Sequence, residues 1–313
     1  MKALAKWIAD GTPWVWLNAA AVSACILLVV GLLMLIGVRG MAHFWPLEVQ
    51  KVVYQQVDGS ELILAGQVRE EEKVTASRLR ESGLEVAENT EFVTRYLLKT
   101  GNRDILGQDF RWILEPAIQS ISKPQSMVVF EREEWGVFIG MLTGVRNSGV
   151  LMANPDVWGS FVERLEHAND LRDEIRDLEK RRIGSVNYRL ERLRLKQRGL
   201  ELKGKDDAAS LAEIENDRAA FQKEYETLEQ ELGKLYSRLR SDAVVVNTVE
   251  GQELELSMSV IVDAYRPNQM NLFGKIGHFF HNAWKFIVDD PREANTEGGI
   301  FPAIFGTVLM VLL

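Results

Sequence analysis

The chain has a single cysteine, Cys25, among 313 residues, and it lies inside an apolar run. That excludes a disulfide framework, zinc-ligand spacing and a Cys/His catalytic pair. Basic residues are not in excess either. Lys and Arg number 37 against 45 Asp and Glu, a formal charge of -8, so the broad cationic face of a general nucleic-acid binder is missing. There is no P-loop, nucleotide-binding glycine fingerprint, GxSxG elbow or HExxH helix. The acidic pairs Glu133-Glu134 and Asp289-Asp290 have no second catalytic group set opposite them and read as solvated charges. His278 and His281 are helical neighbours without a third ligand, which suits a wet helix edge better than a metal. No catalytic, cofactor or metal site is assigned. A composition of 46% hydrophobic and 26% charged residues still describes a folded chain with a core.

Charge is also absent from Pro13 to Val38. At about 1.5 Å per residue this stretch can cross a hydrocarbon layer of about 30 Å. Trp14 and Trp16 stand at one end, and His43 and Trp45 beyond the other, where amphipathic rings prefer the headgroup layer. The alternative, a cleaved signal sequence, has an apolar region of only about 7 to 15 residues. Lys2 and Lys6 against Arg39 keep the first residues cytoplasmic by the positive-inside bias. The other end repeats the pattern: Gly298 to Leu313 is apolar to its last residue and reads as the start of a second membrane helix, cut short. Pro302 fits a first helical turn, and Gly306 and Thr307 allow close approach of a neighbour.

Between these ends the sequence predicts an α+β body outside the cytoplasm. From about Leu47 to Ile139 it shows hairpin chemistry, with Asp58-Gly59 between two strand runs, further strands at Glu91 to Leu98, MVVFERE and WGVFIGML, and one short helix near Glu70 to Arg80. A last strand pair, AVVVNTV and ELELSMSV, flanks Glu250-Gly251. From Trp158 to Arg240 the texture is helical. Leu211, Ile214, Phe221, Tyr225, Leu228, Leu232, Leu235 and Leu239 follow a heptad, interrupted by Arg218, and an earlier arm from Leu165 to Leu200 shifts phase near Gly184. An antiparallel coiled-coil hairpin turning near Gly204–Asp207 is expected. Arg181, Arg182, Arg189, Arg192, Arg194, Lys196 and Arg198 of the first arm would face Glu213, Glu215, Glu224, Glu226, Glu229 and Glu231 of the second.

Asn271 to Val288 forms an amphipathic segment whose apolar face carries Leu272, Ile276, Phe279, Phe280, Ala283, Trp284 and Ile287, with Phe273 beside it. Just ahead of a membrane helix, it is expected to lie flat in the interface; an ordinary core-facing helix is the alternative. The expected organisation is a cytoplasmic start (1–12), a transmembrane helix (13–38), a periplasmic β-rich domain (39–157), the coiled-coil hairpin (158–240), return strands (241–270), the interfacial helix (271–288), a linker (289–297) and the start of a second transmembrane helix (298–313).

The order of these parts, with FIVDDP followed by REANTEGGIFPAIFGTVLMVLL, resembles the opening of a phosphate ABC transporter permease with an expanded external loop. The resemblance falls on Asp290, Pro291, Asn295, Thr296, Glu297, Gly298, Gly299, Gly306 and Thr307. It implies a bacterial inner-membrane importer of inorganic phosphate. Its partners would be a second permease subunit, two ATP-hydrolysing subunits on the cytoplasmic side, a periplasmic phosphate-binding protein and the lipid bilayer. The further helices and cytoplasmic coupling helix of that family are not in this sequence, so an N-terminal fragment is expected. The competing expectation is a single-pass periplasmic adaptor that bridges to an outer-membrane channel through its coiled-coil hairpin.

Overall fold

The computed structural model describes residues 7, 10–56, 58–81, 90–204, 207–288 and 301–312. The described residues form two compact units: Leu47–Gln269, and the flanking segments up to Pro46 and from Met270 onward. The chain is α+β, with antiparallel sheets and one N-terminal apolar helix.

That helix, α1, runs from Thr12 to Ala42 and is exposed along its length. It outruns the uncharged stretch mainly at its C-terminal end, where Arg39 in the last turn sits favourably against the partial negative charge of the final carbonyls. Among the described residues it is the one helix long and apolar enough to cross a membrane.

The body begins with β1 (Val49–Gln55), β2 (Glu61–Thr75), the short helix α2 (Ala76–Glu81), β3 (Phe92–Lys99), the single-turn α3 (Arg103–Leu106), β4 (Phe110–Leu114) and β5 (Ile118–Ser122). The helix expected near Glu70 to Arg80 is confined to α2. Glu70–Thr75 remain in β2 because they pair with Leu97 to Phe92 of β3, which sets Val74 and Val93 in one small core with Ala76 and Leu79.

Strand order in this first sheet is β4-β3-β2-β1-β5, so two consecutive strands occupy opposite edges. They are joined only by a 3-10 turn at Glu115–Ala117. From Leu114 to Ile118 the chain reaches at most about 14 Å. The edges of a flat five-stranded sheet would stand about 19 Å apart. The sheet must therefore curl into a small barrel closed by its own chain. The long strand β2 makes this possible, pairing with β1 through its first half and with β3 through its second, with a register shift between Val68 and Glu70. Val52, Leu64, Leu98 and Ile113 fill the interior.

The chain then builds the same object again. Strands β6 (Met127–Arg132), β7 (Val137–Asn147), β9 (Ala243–Asn247), β10 (Glu253–Ser257) and β11 (Ile261–Tyr265) form a second sheet in the order β10-β9-β7-β6-β11, with the two-residue β8 (Val150–Leu151) beside β7. Once more two edge strands are joined by a 3-10 turn, here Met258–Val260. Once more a long strand, β7, changes partner across a register shift, between Leu142 and Gly144. The segments 110–122 and 253–265 match element by element but share a single identical residue, Ile118 with Ile261. We read the body as a tandem repeat of one five-stranded barrel.

The barrels are packed together. Val49 and Ala65 of the first share a core with Met127, Val129, Val137 and Ile139 of the second. Asn268 donates to the carbonyls of Val49 and Pro124, each at 2.8 Å, and accepts from the Val49 amide at 2.9 Å. Strand β6 is buried on both faces, which is why its first four residues, Met127 to Phe130, are all apolar before the buried Glu131 and Arg132.

A helical insertion separates β8 from β9. Helix α4 (Val157–Asp177) passes through a π-helical segment at Leu178–Ile183 into α5 (Gly184–Leu202), and α6 (Ala208–Leu239) returns. The π segment accounts for the phase shift that the sequence shows near Gly184, since a wider turn rotates the apolar stripe. Asp156 caps α4 by accepting from the Gly159 amide, and Asp207 caps α6 by accepting from the Ser210 amide. In the second unit, α7 spans Leu272–Val288 and α8 spans Phe301–Leu312.

Candidate functional surfaces

The helical insertion belongs to the second barrel at its base and to solvent farther out. Phe161 of α4 is fully buried, edge-on to Phe130 at 5.6 Å, and Phe130 meets Phe138 at 6.0 Å. Arg172 donates to the carbonyls of Met258 and Ile261, both at 2.6 Å, tying α4 to the closing turn of the barrel. The same apolar cluster continues outward through Leu171, Ile175, Leu178 and Val186 against Leu239, Leu235 and Leu228.

Of the expected heptad residues, Ile214, Leu228, Leu235 and Leu239 are buried; Leu211, Phe221, Tyr225 and Leu232 are half-buried. Arg218 donates across the arms to the Gln197 side-chain oxygen at 3.1 Å and pairs with Glu215 of its own arm at 3.4 Å. Cross-arm ion pairs run antiparallel: Arg182 to Glu231 at 2.9 Å, Arg189 to Glu224 at 2.7 Å and Lys196 to Glu213 at 3.5 Å. The remaining basic residues do not face the acidic arm. Arg181, Arg194 and Arg198 pair within their own arm, and Arg192 rests over Tyr188. Exposed pairs of this kind contribute about 0–1 kcal/mol each, so the apolar seam carries the hairpin. Burial pushes the Tyr236 phenol up, aided by its hydrogen bond to Glu179 of the facing arm.

Within the second unit, α7 is fixed by aromatic contacts. Phe279 lies 6.3 Å from Trp45 and 6.5 Å from Phe44, and Phe286 lies 5.1 Å from Phe44. Two residues just beyond α1 therefore hold one edge of α7. The rest of its apolar face, Leu272, Phe273, Phe280, Trp284 and Ile287, stays exposed. Asp290, Pro291, Asn295, Thr296, Glu297, Gly298 and Gly299 lie outside the described residues. Gly306 and Thr307 fall on α8, where a methyl group added at Gly306 would meet nothing within 4 Å.

A cluster that the sequence did not reveal lies where the barrels meet. Asn102, in the left-handed region, donates from its side chain to the Ile139 carbonyl at 3.0 Å and accepts from the Ile139 amide at 2.7 Å. Gly101 beside it has φ +61°, and a Cβ there would stand 2.5 Å from the Val137 carbonyl oxygen. Arg132, with its side chain 3% exposed, forms a two-pronged pair with Asp104 at 2.9 and 3.0 Å and donates to the carbonyls of Trp135 and Gly136 at 3.1 Å. Strand β7 starts at Val137, two residues after the expected Trp135, because these carbonyls turn inward to Arg132. The sequence signal available was Glu-Glu-Trp-Gly between two strand runs.

Burial raises the Asp104 pKa, but the hydrogen bonds and charge of Arg132 outweigh it and leave the carboxyl below its ordinary 3.8. A lowered folded value means that the pair's stabilisation is fully present above the unfolded pKa and is lost as pH falls through the folded one. Melting temperature followed from about pH 5 down to about pH 2 should therefore fall less steeply in Asp104→Asn than in the parent.

A cavity of about 20 Å³ lies between the barrels, lined by Ile63, Leu64, Ala65, Asn102, Thr248 and Val249 among others. It has room for about one water molecule and none for a substrate. What the described geometry offers is surfaces. Compared with known families, curated proteins and solved structures, the chain matches none.

Proposed function

We propose that this chain is a permease subunit of an ATP-driven importer of inorganic phosphate in the bacterial inner membrane, with the tandem-barrel body on the periplasmic side. The observation that carries the reading is the ordered run of an amphipathic helix with exposed Phe280 and Trp284, the DDPREANTEGG sequence and then the apolar helix α8. Together with α1, this gives the chain a membrane-seeking segment on either side of the body. The exposed face of α7 suits the headgroup layer, where Trp and Phe are favoured. An acidic body is a poor trap for phosphate by itself, so capture belongs to a separate periplasmic binding protein. ATP hydrolysis belongs to cytoplasmic subunits, and a second permease subunit completes the pathway.

In this reading the helical insertion is an antiparallel coiled-coil arm for contact with partners. The competing adaptor reading draws on that arm and on the single long membrane helix. It leaves the exposed aromatic face of α7 and the apolar α8 without a role.

Deleting the gene in its own cell and restoring it separates the two. Loss of high-affinity uptake of radiolabelled phosphate, recovered with the intact gene, is the expected result. Unchanged uptake, with co-purification of an outer-membrane channel, would replace transport by the adaptor. The arm itself is tested by joining residue 181 to residue 232 through a short Gly-rich turn, which spares the buried base around Phe161 and Leu239. Uptake should fall although the shortened protein folds.

A further inference from the structure

The two barrels invite comparison at their first hairpins. In the first barrel the last paired residues are Gln55 and Glu61, with five positions between them; in the second they are Glu131 and Val137, again with five positions between them, the turn 132–136. The turns have the same length, and Gly59 of one corresponds to Trp135 of the other. Both residues are left-handed, Gly59 at φ +83° and Trp135 at φ +67°. Glycine adopts this conformation without penalty, whereas a bulky side chain does so at a cost, and such residues persist where the surroundings enforce them.

Here the enforcement is visible. The buried Arg132 guanidinium binds the Trp135 and Gly136 carbonyls while gripping Asp104. The effect is to hold outward a tryptophan whose surface is 59% exposed. The same arginine brings α3 alongside, with Ile105 and Leu106 each more than one-third exposed. Among the described residues, a large aromatic side chain held out by a strained turn, close to the helix that Arg132 grips through Asp104, gains little from packing.

We propose that the 132–136 turn is a docking knob, in which Trp135 enters an apolar socket, rimmed by Lys or Arg, on a folded partner protein. Charge selects this occupant. The exposed carboxylates of Glu133 and Glu134 directly precede the tryptophan, and the one cation of the turn, Arg132, is buried and paired with Asp104, so the charge that the turn itself presents is negative. An anionic lipid surface would be repelled by that rim. A second copy docking through the same knob would bring the two acidic tips together. A cationic rim pairs with them, and Trp is the residue type that most often anchors such sites. The knob does not depend on the transport reading.

The test places a benzophenone amino acid at Ile105 in the full chain, in its native cell, and compares the Trp135 protein with Trp135→Gly. Because Trp135→Gly restores the residue type of the first barrel, its melting temperature should be equal or higher, so lost contact cannot be blamed on unfolding. The expected result is a light-dependent adduct with one other protein, mapped to a Lys- or Arg-rich surface. Its yield should drop at least about tenfold in Trp135→Gly, as for a buried aromatic anchor, and should also drop in Glu134→Lys. An adduct with lipid, an adduct between two copies, a yield indifferent to Trp135→Gly, or no adduct would each overturn the proposal.

Discussion

Phe161→Ala should destabilise the body by about 3–5 kcal/mol, the range for deleting a buried aromatic ring. Phe161 has no exposed surface, and its ring closes a stack with Phe130 and Phe138 beneath α4. The substitution removes the transfer free energy of the ring and leaves a cavity that two barrel strands cannot collapse to fill. Urea unfolding of the full chain in detergent, followed by tryptophan fluorescence, reports it directly, since Trp158 lies 5.4 Å from Phe161. Phe280→Ala on α7 is the internal control. That ring is exposed, and the midpoint of unfolding should move by no more than about 0.5 kcal/mol equivalent. A Phe161→Ala effect as small as the control would mean that α4 is an appendage and not a wall of the second barrel.

Arg132→Met should cost about 3 kcal/mol, although methionine fills similar space. Hydrogen bonds to charged groups contribute about 1.5–3 kcal/mol each where they are buried, and Arg132 makes four contacts with almost no exposure. Asp104 is one-third exposed, so its abandoned carboxylate can regain water, which keeps the loss below that of a fully buried orphan charge. The first barrel supplies the contrast. Arg95 also pairs with a carboxylate, Glu72, at 2.6 Å and lies over the Trp112 ring, but its side chain is 30% exposed and its partner's 44%. Arg95→Met should therefore cost about 1 kcal/mol or less. Chemical denaturation of both variants measures the difference, and equal losses would show that burial is not what makes Arg132 strong.

The repeat itself is hidden in the sequence. Nothing in the order of amino acids relates 110–122 to 253–265, because a barrel wall asks only for alternation and a bend, and different residues satisfy both. The second repeat is further disguised by the helical insertion, which separates β7 from β9 by nearly one hundred positions although the two strands pair side by side. A strand pairing made over such a distance leaves no local periodicity to read.

The amino-acid sequence alone determined the parts that depend on local period and on solvent. An uncharged run must be a long apolar helix, a heptad stripe must be a helix with one buried side, and Asp58-Gly59 must be a turn. Each follows from neighbours within a few residues. Tertiary structure alone decided that the body is one barrel built twice, that Glu70–Thr75 extend a strand, and that Arg132, Asp104 and Asn102 meet at the junction. Those outcomes rest on hydrogen bonds and burial between segments far apart in the chain. A buried arginine and a strained tryptophan are recognisable only once the fold has taken water away from one and left it around the other.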